Sequence, residues 1–297
     1  MLLKKVIDKA QSVVSEIYTE REARVLVFRC LEDMFGISRH KHILDPSYEL
    51  PEDIRMALEE VSFRLASGEP LQYITGRADF YGRVFKVNPS VLIPRQETEI
   101  LCRKAIAALK GRPAGMRVLD LCTGSGCIAW TLALECPGAK VTAVDISDGA
   151  LQTASSQDFS QEIDRSGALA PSFVKADVLD ITGKEGLMPA PDFRWDVIVS
   201  NPPYVMESEK SLMKSDVLNH EPHLALFVPD EDPLKFYRAV ADWASGSLAE
   251  DGFGMVEINE AFGEETAAVF IEAGFADVRV MKDLNDRDRF VCFSRKV

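Results

Sequence analysis

From about residue 115 onward, short apolar segments of the strand type alternate with segments of helical periodicity. "MRVLDL" is followed by the helical "TGSGCIAWTLALEC" and then by "KVTAVDI", and the alternation continues to the end of the chain. Strands that alternate with helices form βαβ units, which build a mainly parallel sheet covered on both faces. The sequence therefore predicts a doubly wound α/β domain over residues 96–297, with seven strands of which the last two form an antiparallel hairpin at one edge.

Residues 1–75 show no strand pattern and carry apolar residues at helical spacing instead. One predicted helix ends at Gly36, and another begins near Pro51 and ends before Gly68. We expect a small helical domain here. Residues 76–95 are rich in β-branched and aromatic residues and are punctuated by glycine and proline, which predicts a β-hairpin that links the two domains.

The charge of the chain argues against a nucleic-acid partner. The formal net charge is −13, whereas a protein that binds DNA needs a positive field to attract phosphates. The apolar runs are shorter than the roughly 20 residues of a membrane span, and "MLLKKVIDKA" does not fit a signal peptide. We therefore expect a cytoplasmic protein, monomeric by default, that binds neither nucleic acid nor membrane.

Cysteine and histidine spacing gives no indication of a metal. The six cysteines contain no C-x-x-C pair, which favours reduced and mostly buried thiols. The four histidines form two pairs, "HKH" and "HEPH", and neither pair has the spacing of a zinc site. No metal site is predicted.

A glycine-rich turn follows the first strand of the α/β domain. In "DLCTGSGCIA", Gly124 and Gly126 allow the backbone to turn sharply and to approach a ligand closely. The stretch satisfies the dinucleotide fingerprint G-x-G-x-x-A, and Asp145 ends the next strand, where an acid binds ribose hydroxyls. At this point NAD and other adenosine cofactors are both compatible with the sequence.

Asp120 favours one of these ligands. It ends the first strand just before the turn, where a pyrophosphate needs donors and positive potential. A carboxylate suits a ligand with an ammonium group, and S-adenosylmethionine has an ammonium group and a ribose but no phosphate. Farther along, Asp177 follows a strand and offers an acceptor to an adenine amino group, and Val178 is expected to pack on that base.

The stretch "VIVSNPPYV" ends a buried strand with an amide, two prolines and an aromatic ring. Proline cannot donate to a sheet, so the strand stops here and the backbone is stiff. The Asn201 side-chain oxygen and the Pro202 carbonyl can accept both N–H groups of a planar nitrogen, which fixes its plane and favours positive charge on it during methyl transfer. Pro203 adds stiffness, and Tyr204 is expected to stack on the planar group.

Together, "VLDLCTGSGCIA", "VDIS", "VSNPPYV", "HEPHLALF" and "VLIPRQETE" resemble the HemK-type protein-(glutamine-N5) methyltransferases, which modify bacterial peptide chain release factors. The resemblance runs nearly from end to end and includes "GEPLQYITG". It implies a Rossmann-like class I methyltransferase fold with an N-terminal domain that contacts the release factor. It also implies methyl transfer from S-adenosylmethionine to the side-chain nitrogen N5 of the glutamine in a Gly-Gly-Gln motif.

The resemblance also implies roles for individual positions. The residues that would line the methionine part of the cofactor are Cys122, Thr123, Gly124, Ser125 and Gly126. Asp145 would hold the ribose, and Val178 would lie beside the adenine. The catalytic residues would be Asn201, Pro202, Pro203 and Tyr204, which clamp the substrate glutamine, and we expect Asn201 to contact the cofactor as well.

The chain departs from the family pattern at three positions. Gln96 replaces the second proline of P-R-P-E-T-E, Val178 stands where an aromatic residue is frequent, and Asn259 replaces the glycine of E-I-G. We expect these changes to affect affinity rather than reaction type. N-P-P-Y also marks DNA adenine-N6 methyltransferases, so an N6-adenine DNA or RNA methyltransferase remains the alternative, followed by a non-catalytic cofactor-binding module.

Overall fold

The computed structural model describes residues 1–180, 187 and 192–295. The chain divides into two compact units, of which the first contains Met1–Arg77 together with Met213–His220, and the second contains the remainder. The sequence placed the first boundary near residue 75 and did not assign residues 213–220 to the helical unit. The loop expected over residues 181–193 lies almost wholly outside the described residues.

The N-terminal unit is helical, as predicted. Its helices are α1 (Leu3–Val14), α2 (Glu20–Phe35), α3 (Lys41–Leu44), α4 (Glu52–Ala66), α5 (Leu71–Thr75) and α10 (Ser215–His220). Helix α2 begins with a capping box, in which the Thr19 hydroxyl accepts from the Glu22 N–H and the Glu22 carboxylate accepts from the Thr19 N–H. It ends at Gly36, whose φ of 65° is left-handed. Leu3, Val27 and Leu58 are fully buried in the core that these helices share.

The predicted hairpin consists of β1 (Arg77–Phe80) and β2 (Arg83–Lys86), and from Ala78 onward it belongs to the second unit rather than to a separate linker. The two residues between the strands, Tyr81 and Gly82, have φ angles of 50° and 73°. Two consecutive positive φ values are the mark of the type I′ turn, whose twist matches that of paired strands.

A seven-stranded sheet forms the centre of the second unit. Its strands are β3 (Arg117–Leu121), β4 (Lys140–Asp145), β5 (Ser172–Lys175), β6 (Trp195–Ser200), β9 (Leu248–Glu257), β10 (Ala276–Lys282) and β11 (Asp288–Ser294). Their order is β10-β11-β9-β6-β3-β4-β5, and β11 is antiparallel to both of its neighbours while the others run parallel. This confirms the predicted fold class. The short strands β7 (Val205–Met206) and β8 (Phe227–Val228) pair separately.

Helices cover both faces of the sheet. They are α6 (Thr98–Leu109), α7 (Cys127–Glu135), α8 (Asp148–Ser155), α9 (Ser160–Ser166), α11 (His223–Leu226), α12 (Lys235–Ala244) and α13 (Gly263–Glu272). Val118 belongs to the buried cluster that contains Leu101 and Trp130, whereas its neighbour Leu119 belongs to the cluster that contains Trp243. Successive strand residues therefore face opposite cores, as a doubly wound sheet requires.

The strand order reverses direction between β3 and β6. From β3 the chain proceeds outward through β4 to β5 and then returns to the other side of β3 as β6. Leu121 pairs with Val144 on one side and with Ser200 on the other, so the carboxyl ends of these strands are level. Ligands of doubly wound folds bind at such a reversal.

Among the described residues, no helix has both the length and the apolar character needed to cross a membrane.

Candidate active site

The loop after β3 turns through three residues with left-handed backbone. Cys122, Gly124 and Gly126 have φ angles of 62°, 54° and 79°. A Cβ atom on Gly126 would lie 2.9 Å from the Ala154 Cβ atom, so this glycine lets α7 start close against α8. A Cβ atom on Gly124 would meet no atom of the described residues within 4 Å. Gly124 therefore leaves room for a ligand to approach the backbone.

Asp145 at the end of β4 is fixed by two backbone donors. Its Oδ2 atom accepts from the Gly124 N–H and its Oδ1 atom accepts from the Ser147 N–H, each at 2.9 Å. Burial raises the pKa of this carboxyl, while the backbone N–H groups act in the opposite direction. Each carboxylate oxygen can accept a second hydrogen bond. Asp145 is thus oriented to receive hydroxyl groups from the cavity that it lines.

A cavity of about 450 Å³ lies at these strand ends, within the range of about 300–1,000 Å³ that is typical of small-molecule sites. The predicted residues that line it are Cys122, Thr123, Gly124, Ser125, Asp145, Asp177, Val178, Asn201 and Pro203. Within the described part of the chain, the lining does not include Asp120, Gly126, Pro202 or Tyr204. The geometry therefore brings most of the predicted site together, and four of its members are not part of the cavity lining.

Asp120 lies beneath the glycine loop. It is fully buried, and its Oδ2 atom accepts from the Thr123 hydroxyl at 2.6 Å. Its Oδ1 atom has no hydrogen-bond partner among the described residues. Burial raises the pKa of Asp120 to about 7. The carboxyl group is placed to hold the loop through Thr123, and its expected contact with an ammonium group stays a prediction.

Asn201 follows β6 and is tied to the first residue of α6. Its Nδ2 atom donates to the Thr98 Oγ1 atom at 3.2 Å, and the Thr98 hydroxyl donates to Glu257 Oε2 at 2.7 Å. The Tyr204 hydroxyl donates to the other oxygen of Glu257 at 3.1 Å. Tyr204 thus anchors the N-P-P-Y segment through its hydroxyl, and the stacking expected of its ring stays a prediction.

Asp177 and Val178 line the cavity together with the next residue, Leu179. Asp177 accepts from the Leu179 N–H at 2.9 Å. Val178 is buried, and its carbonyl accepts from the Trp243 indole at 2.9 Å. Asp177 thus contributes a carboxylate to the lining, and Val178 and Leu179 contribute apolar surface. A purine ring fits such a lining because its faces are apolar and its amino group needs one acceptor.

Asn259, which departs from the family pattern, holds the backbone after N-P-P-Y. Its Nδ2 atom donates to the Tyr204 carbonyl at 3.2 Å and to Glu209 Oε2 at 2.8 Å. The same Glu209 oxygen accepts from the Met206 N–H at 2.7 Å. A glycine at position 259 would supply none of these side-chain contacts, so Asn259 helps to fix the segment after N-P-P-Y.

Several lining residues were missed by reasoning from the sequence. They include Arg95, Thr98, Ile146, Pro222, Leu224 and Phe236. Arg95 forms an ion pair with the buried Glu221, whose other oxygen accepts from the Ile93 N–H at 3.2 Å. This pair joins the "VLIPRQETE" segment to the "HEPHLALF" segment, which are more than 120 residues apart in the sequence. Phe236 gave no signal, since it is one apolar residue of an amphipathic helix.

The groups around the cavity fit S-adenosylmethionine. The loop from Cys122 to Gly126 contains no lysine or arginine, and its Gly124 N–H donates to the Asp145 carboxylate beside it. Such a loop does not offer the positive side chains that would help to neutralise a pyrophosphate, whereas it suits a ligand with ammonium and ribose groups. The strand order, the glycine loop, Asp145 and the N-P-P-Y segment define an S-adenosylmethionine-dependent methyltransferase of the Rossmann-like class.

Comparison with known proteins agrees with this class. Residues 5–76 match the family described as PrmC N-terminal domain, and residues 98–223 match the Methyltransferase small domain. A release factor glutamine methyltransferase of Bacteroides thetaiotaomicron is 40% identical over 95% of this chain and 96% of its own length. Its counterpart in Flavobacterium psychrophilum is 35% identical over 98% of each chain. This chain belongs to the family of release factor glutamine methyltransferases, which confirms the resemblance noted in the sequence.

A solved structure gives a further likeness. The protein-(glutamine-N5) methyltransferase (release factor-specific) of Alicyclobacillus acidocaldarius is 33% identical, with a TM-score of 0.43, and the match covers 72% of this chain and all of that one. The family assignment rests on the two curated relatives. With it, S-adenosylmethionine is the cofactor, and the NAD alternative is not supported.

Proposed function

We propose that this chain transfers the methyl group of S-adenosylmethionine to the side-chain nitrogen N5 of the glutamine in the Gly-Gly-Gln motif of peptide chain release factors. The observation that carries the proposal is the Asn201 side chain at the cavity wall, whose Nδ2 atom is engaged by Thr98 at 3.2 Å. This contact leaves Oδ1 available as an acceptor. An amide oxygen fixed in this way suits a substrate that presents N–H groups.

A carboxamide nitrogen is a poor nucleophile because its lone pair is delocalised into the carbonyl group. The cofactor supplies an electrophilic methyl group on a positively charged sulfur. Asn201 Oδ1 accepts one N–H of the substrate amide, and we expect the Pro202 carbonyl to accept the other. The two acceptors would hold the nitrogen in line and stabilise the positive charge that develops on it. As the new C–N bond forms, the bond between the methyl group and sulfur would break, S-adenosylhomocysteine would leave as the neutral thioether, and one N–H proton would pass to water.

The remaining predicted residues hold the cofactor. Asp145 receives the ribose hydroxyls, and its carboxylate is already oriented by the Gly124 and Ser147 N–H groups. The loop from Cys122 to Gly126 lies along the methionine part, with Gly124 allowing close approach. Asp177 and Val178 receive the adenine. Because the polar partners are fixed before binding, little ordering cost remains when the cofactor enters.

The release factor is the proposed partner, and it presents its glutamine from a loop whose glycines allow deep entry into the cavity. We propose that the enzyme acts as a monomer in the cytoplasm, where release factors work, and that it needs neither nucleic acid nor membrane. The net charge of −13 supports the lack of a nucleic-acid partner.

The test is mass spectrometry of a release factor after incubation with the enzyme and S-adenosylmethionine. We expect one added methyl group on the peptide that contains Gly-Gly-Gln, located on the glutamine side chain by fragmentation. A release factor whose motif glutamine is replaced by glutamate is the matched control and stays unmodified. A parallel reaction with labelled cofactor and duplex DNA or RNA tests the adenine-N6 alternative. Label in the nucleic acid and none in the release factor would contradict the proposal.

A further inference from the structure

Glu257 is a buried acid that the proposed mechanism does not use. It ends β9, and only 1% of its surface is exposed. Val256 pairs with Ser200 in the parallel register of β9 and β6, so Glu257 and Asn201 are the next residues of two neighbouring strands. Both Glu257 oxygens are engaged, one by the Thr98 hydroxyl at 2.7 Å and one by the Tyr204 hydroxyl at 3.1 Å. The cost of burying this carboxylate is therefore offset by two hydrogen bonds that both lead to the catalytic loop.

These hydrogen bonds have a fixed direction. An ionised carboxylate only accepts, so the Thr98 hydroxyl must direct its single hydrogen at Glu257. The Thr98 oxygen can then only accept from Asn201, and the Asn201 side chain must turn its NH₂ group towards it. The other end of the amide, Oδ1, is thereby directed away from Thr98. One buried charge thus decides which end of the Asn201 amide is presented to a ligand.

We propose that Glu257, acting through Thr98, is a positioning residue that keeps the Asn201 amide in the orientation needed to accept an N–H group of the substrate. The inference deepens the proposed function and rests on it for the identity of the substrate. A flipped Asn201 would present NH₂ to the acceptor nitrogen, and two donors facing each other would repel. The Thr98 and Glu257 contacts prevent this arrangement before the substrate arrives.

Protonation of Glu257 would weaken this control of the Asn201 orientation. A carboxylic acid can donate to the Thr98 oxygen, and the threonine hydrogen is then free to point towards Asn201. Burial raises the pKa of Glu257, whereas the hydrogen bonds from Thr98 and Tyr204 and the charge of Arg289 lower it. The other titratable groups that interact with Glu257 are Glu97, Cys102, Cys127 and Tyr237. We expect turnover to fall as the pH drops through this raised pKa.

Steady-state kinetics with the release factor test the proposal. Thr98→Val and Glu257→Gln should each lower kcat about 10- to 100-fold while the KM for the release factor and the cofactor Kd change less than about threefold, because only the orientation of one acceptor is lost. Thr98→Ser keeps the hydroxyl and should stay within about threefold of the wild type. The double variant should be no slower than the slower single variant, because both act through one atom.

A matched control is available in α7. Thr131 is fully buried, and its hydroxyl has no hydrogen-bond partner in the part of the chain that the structure describes. Thr131→Val removes a buried hydroxyl outside the network and should leave kcat unchanged. The fall of kcat at low pH should be seen in the wild type and in Thr98→Ser and should be absent from Thr98→Val. A merely structural role would lower folding stability without removing that fall.

Nuclear magnetic resonance of the ¹⁵N-labelled protein supplies a readout that does not need activity. The Asn201 side-chain NH₂ pair, assigned by its loss in Asn201→Ala, should exchange with solvent at least about tenfold faster in Thr98→Val than in the wild type. Thr98→Ser and Thr131→Val should leave the exchange rate of this pair unchanged.

Wild-type inactivity on release factors would contradict the proposed function, and this spectrum would still show whether Thr98 fixes the orientation of the Asn201 amide. An unchanged NH₂ pair in Thr98→Val, or a kcat within about threefold of the wild type, would overturn the inference, and Thr98→Val decides it even when Glu257→Gln does not fold.

Discussion

The Gly124 backbone N–H donates to Asp145 Oδ2 at 2.9 Å, which joins the loop after β3 to the end of β4. One carboxylate thus serves the protein and, in the proposed mechanism, the cofactor ribose. The hydrogen bond between Gly124 and Asp145 therefore fixes the loop at the cavity and also orients the carboxylate that the ribose needs.

Asp145→Ala should weaken S-adenosylmethionine binding about 10- to 100-fold, since hydrogen bonds to a charged group contribute about 1.5–3 kcal/mol. Isothermal titration calorimetry measures the effect. Asp148→Ala is the matched control, because Asp148 lies three residues away with a side chain that is 80% exposed. An unchanged Kd in Asp145→Ala would refute the assigned role of this carboxylate.

Alanine at Gly126 and at Gly124 should have different consequences. Gly126→Ala places a Cβ atom 2.9 Å from the Ala154 Cβ atom at a φ of 79°, and it should lower the free energy of unfolding by about 3 kcal/mol. Gly124→Ala meets no described atom within 4 Å, so it should cost about 1 kcal/mol in stability but at least about tenfold in cofactor affinity. Urea unfolding and calorimetry on both variants check the contrast. Equal losses of stability would show that the close contact at Gly126 is not what requires glycine.

Asp120 should make folding stability depend on pH. Its pKa is raised to about 7 by burial, so its contribution is complete below the unfolded pKa of about 3.9, declines as the pH rises and is lost above about pH 7. In the wild type, the free energy of unfolding should fall by about 1.4 kcal/mol per pH unit between pH 5 and 7, and Asp120→Asn should remove this slope. Urea unfolding without cofactor at a series of pH values measures the slope. Parallel curves for the wild type and the variant would contradict a neutral Asp120, and the exposed Asp148→Asn serves as the control.

The ion pair of Arg95 and Glu221 should show coupling in a double-mutant cycle. The Glu221 side chain is 1% exposed and the Arg95 side chain is 35% exposed. Arg95→Met should destabilise by about 2 kcal/mol because it leaves a buried carboxylate without its cation, and Glu221→Gln should cost less because it still accepts from Ile93. The double variant should recover about 1 kcal/mol, measured by urea unfolding. Strict additivity would mean that the two side chains contribute independently.

The positions of the strands and nine of the residues that line the cavity were predicted from the sequence, because apolar alternation and glycine turns are local signals. The direction of Asp120 was also within reach. It shares a face of β3 with Val118, which belongs to a buried cluster, so the burial of Asp120 could have been expected from the strand alternation. Its expected contact with an ammonium group stays a prediction.

Other features depended on tertiary structure. Thr98 and Asn201 are 103 residues apart, and nothing local in either segment reveals that the first residue of α6 reaches the end of β6. The hydroxyl contact of Tyr204 with Glu257 likewise depends on the register of β9 against β6. Residues 213–220 belong to the helical unit although they lie far from it in sequence.

Asn201→Ala shows most clearly whether the Asn201 amide orients the acceptor nitrogen, provided that turnover and cofactor affinity are measured on the same variant. We expect methylation of the release-factor glutamine, measured by mass spectrometry, to fall at least about 100-fold, while the Kd for S-adenosylmethionine stays within about threefold of the wild type. Methylation at a rate close to that of the wild type would show that the Asn201 amide does not orient the nitrogen.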